Sequence, residues 1–309
     1  LTPLGNDVSS FWNGLINGVS GAGPITRFDA SKFKTQFACE IKGYNADDHF
    51  DRKEGRRIDR YAQYAVIAAT EAFLHSGIDV EKINLDRAGV IWGSGIGGLE
   101  TFQQEVEAFA KGDGTPRFNP FFIPKMIADI APGHISIKFG LRGPNFATVS
   151  ACASSTHAII DAFNYIRLGK ADIIVSGGSE AAVNAAGVGG FNALQALSTR
   201  NDSPETASRP FDKDREGFVL GEGAGSMILE EYEHAKARGA KIYAEVVGGG
   251  LSADAYHITA PHPEGLGAMN VMRMALEDGN LKPTDIQYIN VHGTSTPLGD
   301  VAETKAIQK

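Results

Sequence analysis

Apolar and polar positions follow two rhythms along this chain. Short apolar runs at residues 88–92, 172–175, 226–229 and 242–247 each touch a glycine cluster. Runs of that length bounded by glycine read as buried β-strands. Residues 147–150 and 286–291 add two more strand candidates. Between these runs, apolar residues recur at helical spacing. The segment 60–76 follows Asp59, a good N-cap, and stops at Gly77, a good helix terminator. Segments 99–111, 154–168, 232–238 and 267–278 stop at Gly112, Gly169, Gly239 and Gly279. Segment 123–139 is also helical in spacing, and Pro132 is expected to kink or split it. Strands alternating with helices predict an α/β protein with largely parallel, buried sheets.

No Pro/Ser-rich linker or charge block interrupts this order. The longest polar segment, 198–213, is expected to cover a surface or a site. The chain opens on the turn-like Leu1-Thr2-Pro3-Leu4-Gly5-Asn6 and closes within a helical pattern at 302–309 that has no C-cap. Both ends are expected to be cut.

Composition narrows the possibilities. Charged residues are 21% and hydrophobic residues 42%, globular values that exclude wholesale disorder. No apolar run approaches the ~18–20 residues of a membrane-spanning helix, and no signal-peptide pattern opens the chain. A formal charge of −8 argues against a nucleic-acid partner. Two cysteines, Cys39 and Cys152, exclude a disulfide framework and suit a reducing, cytoplasmic setting. Glycine stands out at 37 of 309 residues, against a usual share of about 7%.

Candidate chemistry lies where strands end. Gly93-x-Gly95-x-x-Gly98 matches the dinucleotide fingerprint as a pattern, but no acidic strand end follows at the required distance. A tight strand-to-helix turn is the better reading. The segment 145–157 runs a strand into Cys152 and starts a helix at once. Backbone N–H groups at a helix start favour a thiolate and can hold an oxyanion, so Cys152 is the candidate nucleophile. His157 and Cys39 read as structural. A second strand end carries His292-Gly293-Thr294-Ser295-Thr296 and repeats the theme, with His292 as candidate base or hydrogen-bond donor. Asp254, His257 and His262 lack tight metal-ligand spacing, and no metal is expected. The basic run 52–57 is a solvated face or a dock for an acidic partner.

Three blocks in order resemble a known family: Val149-Ser150-Ala151-Cys152-Ala153-Ser154-Ser155; Arg209-Pro210-Phe211-Asp212 with Gly217-Phe218-Val219-Leu220-Gly221-Glu222-Gly223-Ala224-Gly225; and His292-Gly293-Thr294-Ser295-Thr296 with Asp300. Together they resemble the elongating β-ketoacyl-[acyl carrier protein] synthases of bacterial fatty-acid synthesis, across essentially the whole chain. The resemblance implies a thiolase-like fold of two similar βαβαβ-type halves in αβαβα layers, usually a homodimer. Residues 1–240 would form the first half, lacking its first strand, and 241–309 the start of an incomplete second half. The implied reaction is decarboxylative Claisen condensation of a Cys152 thioester with a malonyl group on acyl carrier protein, with no cofactor beyond the carrier's phosphopantetheine. His292 would assist decarboxylation, and Thr294, Thr296 and Thr259 would hold the pantetheine arm. Glu303 would steady an active-site lysine, Ile96 and Phe191 would line the acyl pocket, and Lys53, Arg56 and Arg57 would meet the carrier protein. The family's lysine, its second histidine and a later glycine-rich oxyanion motif have no counterpart in 1–309, so this chain by itself is expected to be defective in condensation. Cysteine rather than glutamine at position 152 disfavours a chain-length-factor subunit. Other readings are a polyketide-type ketosynthase, a thiolase- or Cys-hydrolase-like enzyme, and a non-catalytic nucleotide-binding protein.

Overall fold

The structure is a computed structural model that describes residues 1–309. In chain order the elements are α1 (Val8–Ile16), β1 (Gly23–Pro24), β2 (Phe37–Ala38), α2 (Arg52–Gly55), α3 (Arg60–Ser76), β3 (Ala88–Gly93), α4 (Leu99–Lys111), α5 (Phe122–Met126) and α6 (Ile130–Phe139). They continue with β4 (Asn145–Thr148), α7 (Ser154–Arg167), β5 (Ile173–Glu180), α8 (Ala185–Ala193), β6 (Gly223–Glu230), α9 (Tyr232–Ala237), α10 (Leu266–Asp278) and α11 (Pro297–Gln308).

The chain forms two compact units, and they are not a simple cut at residue 240. One comprises Leu1–Gly21, Cys39–Val188 and Gly221–Tyr243; the other comprises Ala22–Ala38, Gly189–Leu220 and Ala244–Lys309.

The first unit is built on a four-stranded sheet in the order β4-β3-β5-β6. β3 runs parallel to β4 and β5, and β6 is antiparallel to β5. Side chains alternate across it, as strand geometry requires. Val90, Trp92, Ile173 and Val175 point into a core shared with α3 and α6, while Ile91 and Ile174 face Ala158 and Ala162 of α7. The result is three layers, with helices on both faces of the sheet. Asp59 caps α3 by accepting from the Tyr61 amide, and the same buried carboxylate accepts from the Thr101 amide and hydroxyl. One side chain thus starts α3 and pins α4. α3 ends at Gly77 in the left-handed region (φ +66), as its sequence predicts.

Several elements depart from expectation. The helix predicted over 123–139 divides into α5 and α6, and the break falls at 127–129 rather than at Pro132. Pro132 is the third residue of α6, where its missing N–H is among those a helix leaves unpaired anyway. β4 starts two residues earlier than predicted, because residues 149 and 150 are spent turning into the next helix. β5 and β6 run through their glycines rather than stopping at them.

The strands predicted at 242–247, where the chain passes from the first unit to the second, and at 286–291, in the second unit, do not form. Both segments are largely exposed and pair with no other strand. A strand exists only as part of a ladder, so apolar residues alone do not make one. The second unit's ordered elements are the β1–β2 pair, α10, α11 and the loops around them.

Candidate active site

The nucleophile candidate stands where β4 turns into α7. Cys152 is exposed and lies in a single 3₁₀ turn, Ala151–Ala153, directly before α7. Ala151 has φ +50, a left-handed conformation costly for a residue with a Cβ. Its neighbours hold it there. Ser154 Oγ accepts from the Ser150 amide at 2.8 Å and donates to the Ala151 carbonyl at 2.7 Å. Thr148 Oγ1 donates to the Ser154 carbonyl at 2.8 Å. His157 Nδ1 lies 2.8 Å from Ser150 Oγ, tying the first turns of α7 back to the elbow, the structural role its position predicts. No side chain caps α7, and of its first amides that of Ser154 donates to the Ala151 carbonyl.

Two glycines set the elbow's height over the sheet. A Cβ at Gly93 or at Gly178 would overlap Ser155, at its amide and its side chain respectively. This explains why β5 keeps Gly178 inside its ladder: only a bare backbone admits the start of α7.

His292, exposed, belongs to the second unit. Glu303 of α11 accepts from its amide at 2.7 Å and from the Gly293 amide at 2.8 Å, through one carboxylate oxygen each. Glu303 therefore holds main chain here. Thr296 is the N-cap of α11, accepting from the Gly299 amide, and its Oγ1 lies 2.9 Å from Thr294 Oγ1. Asp300, 1% exposed, is the centre of this region. It accepts from the amides of Phe211 (2.7 Å) and Ser295 (3.1 Å) and pairs with Arg215 Nε at 3.1 Å. Phe211 (φ +68) and Ser295 (φ +66) are both left-handed, and Asp300 holds both amides. The polar segment 198–213 packs onto this region: Arg209 donates its amide to Ser295 Oγ, and Gly217, just beyond the segment, donates to the Ser295 carbonyl.

The other predicted residues fall in separate places. Ile96 is 44% exposed on the turn between β3 and α4. Phe191, on α8, packs edge-on against Phe218 at 5.3 Å. Thr259 is exposed, its amide donating to His257 Nδ1. Lys53, Arg56 and Arg57 are exposed on and just after α2, with the Arg57 guanidinium over the Phe121 ring at 4.7 Å. Asp254 accepts from the amides of Tyr256 and His262, so this polar cluster shapes a turn. Cys39 is half-buried, and burial pushes its thiol up. The nucleotide reading of the glycine turn is overturned by Glu180, whose carboxylate already takes the Gly95 and Ile96 amides a phosphate would need.

Residues 1–235 match the β-ketoacyl synthase N-terminal domain, and residues 243–309 match the C-terminal domain of the same enzymes. The chain belongs to the β-ketoacyl synthase family. A 3-oxoacyl-[acyl-carrier-protein] synthase 2 of Staphylococcus aureus is 49% identical over 308 residues, covering all of this chain and 76% of that protein. The crystal structure of a β-ketoacyl synthase from Burkholderia phymatum matches with TM-score 0.90 at 36% identity, over 99% of this chain and 74% of that one. A type II polyketide ketosynthase, solved with its acyl-carrier protein, matches with TM-score 0.89 at 32% identity over the same shares. The fold of this synthase is thiolase-like, as the resemblance implied.

Three features of the synthase escaped sequence reasoning. Glu180 entered no sequence motif, and Asp300 entered only as the last residue of one. Ala151 carried no signal, since alanine seldom marks a left-handed turn. The signal for the two acids was an isolated carboxylate beside glycines, which lack side chains to satisfy it.

Proposed function

We propose that this chain carries the acyl-transfer chemistry of a condensing enzyme in fatty-acid elongation. The observation that carries the reading is Cys152, exposed on a strained turn at an uncapped helix start. Its thiolate attacks an acyl thioester on the carrier protein. An S–C bond forms, and the carrier's pantetheine thiolate leaves. The α7 amides would receive the oxyanion of the tetrahedral intermediate. In the second half-reaction, which the family completes with a lysine and a second histidine that have no counterpart in 1–309, malonyl-carrier loses carbon dioxide. The resulting enolate attacks the acyl carbonyl, expels the Cys152 thiolate and leaves a β-ketoacyl chain on the carrier. His292 donates a hydrogen bond to the malonyl thioester oxygen as negative charge gathers there. The Glu303 grip on its amide fixes the backbone from which the ring projects. Thr294, Thr296 and Thr259 would meet the pantetheine arm, and Ile96 and Phe191 the acyl chain. No cofactor is required beyond the carrier's own arm. No helix is long and apolar enough to cross a membrane, and we place the enzyme in the cytoplasm as a homodimer. Higher identity to a fatty-acid synthase than to a polyketide ketosynthase supports the elongation reading.

Iodoacetamide distinguishes the two thiols. Cys152 is expected to be alkylated on the order of tenfold or more faster than Cys39, which burial holds in the slow thiol form. Peptide mass spectrometry over a time course reads the two rates, and equal or inverted rates would remove Cys152 as nucleophile.

Carrier docking falls to the basic turn. The acidic total makes a local positive patch selective, because complementary charge chiefly speeds encounter. Lys53→Glu with Arg56→Glu spares the Arg57–Phe121 stack. It is expected to slow association with acyl carrier protein on the order of tenfold at low salt, the difference shrinking as salt rises. An unchanged stopped-flow rate would place docking elsewhere.

A further inference from the structure

Glu180 ends β5, and its place is fixed from behind: Trp92 Nε1 donates to the hydroxyl of the preceding Ser179 at 3.0 Å. Its Oε2 accepts from the Gly95 amide at 2.8 Å and the Ile96 amide at 3.0 Å. Its Oε1 is buried and has no hydrogen-bond partner. Gly95 is confined between this carboxylate and the elbow: a Cβ there would sit 3.0 Å from Glu180 Oε2 and 3.3 Å from the Ala151 carbonyl. The turn that presents Ile96 is therefore held by one acid on one side and the nucleophile's own turn on the other.

We infer that Glu180 is the positioning residue of the 95–97 turn, and that its grip on two amides sets where Ile96 stands and so which acyl lengths Cys152 accepts. This rests on the acyl-transfer reading above. Bonds from N–H groups to a carboxylate are roughly twice as strong as bonds to a neutral acid. Proton binding at Oε1, the atom without a partner, leaves both amides on Oε2 but weakens their hold. Burial pushes Glu180 up to about 7, opposed by the amides it accepts. Tyr61 of α3 lies within its field, together with Asp59 at the start of α3 and Asp129 at the start of α6. Asp59 is occupied by Tyr61 and Thr101, and Asp129 by the Ala147 amide. Tyr61 is pushed above its ordinary range and stays neutral. Glu180 therefore grips above its midpoint near 7 and loosens below it.

The test has two arms. In the whole chain labelled with ¹⁵N, the Gly95 and Ile96 amide shifts should titrate with a midpoint near 7, and Glu180→Gln should abolish that titration. Flat shifts in the wild type, or a titration that survives Glu180→Gln, would overturn the latch whether or not acyl transfer is correct. The second arm measures acylation of Cys152 by short and long acyl-carriers. The ratio of the two rates cancels the thiol's own ionisation. It should change on the order of tenfold between pH 6 and 8, a typical coupling between two sites. Glu180→Gln should hold it at its pH 6 value throughout. A ratio that ignores both pH and substitution would overturn the link to chain length while the amide titration still stood. Should Glu180→Gln fail to fold, Glu180→Asp keeps the ionisation but is too short to reach both amides. It should retain a carboxylate titration while losing the large Ile96 amide shift, and an unchanged Ile96 shift would count against the latch.

Discussion

Cys152→Ala will leave no acyl-enzyme. Incubated with acyl-carrier, the wild-type chain should gain the mass of one acyl group and the variant none. Cys39 offers no substitute, because it is half-buried and its thiol is pushed up by burial. The loss should be total for the covalent step. Single-nucleophile deletions in enzymes of this kind cost factors on the order of 10⁴–10⁶. The substitution should not unfold the protein, since the side chain is exposed and the elbow is held by Ser154, Thr148 and His157. Unfolding curves of the two proteins should therefore overlay. Retained acylation in the variant would mean that some other group accepts the acyl chain.

The second large effect is on stability. Asp300→Ala removes the acceptor for two amides, that of Ser295 buried and that of Phe211 partly so, and the partner of Arg215 in one step. Breaking a buried ion pair by deleting one partner costs about 3–5 kcal/mol. Most of that cost is the stranded groups left behind. The Phe211 and Ser295 backbones, both left-handed, lose what holds them. Urea unfolding should show the destabilisation, and amide exchange should locate it in the second unit. Asp300→Asn keeps the shape and one good acceptor and should cost less. If Asp300→Ala leaves the unfolding midpoint unchanged, Asp300 is not the centre of its region.

The helices were the most legible part of the sequence. Asp59 and Gly77 bound α3 because capping is local chemistry, written in the few residues that perform it. The same holds for α4, which spans Leu99–Lys111 as its pattern predicts. Strands depend on partners far along the chain. The runs at 88–92 and 172–175 became β3 and β5 because each found a neighbour. The runs at 242–247 and 286–291, each interrupted by polar residues (Glu245; Gln287 and Asn290), found none. Cys152 and His292 were proposed for the site from their neighbours in sequence. Glu180 could not be, because its partners at 95 and 96 are over eighty residues away. Glu303 was assigned to a lysine by resemblance, whereas in this chain it holds the amides of His292 and Gly293.

The absence of side chains at Gly93 and Gly178 has a further effect on how the enzyme tolerates change. Where two elements meet through side chains, each substitution at the seam alters their spacing. Here the strands present bare backbone to the start of α7, to its own backbone at Gly93 and to the short Ser155 side chain at Gly178. The stand-off between sheet and nucleophile is therefore a fixed gauge. Substitutions elsewhere in the core that shift β3 or β5 should carry Cys152 along with the strands. Core residues can drift over generations while the Cys152 sulfur keeps its height, and the two glycines are where that freedom ends.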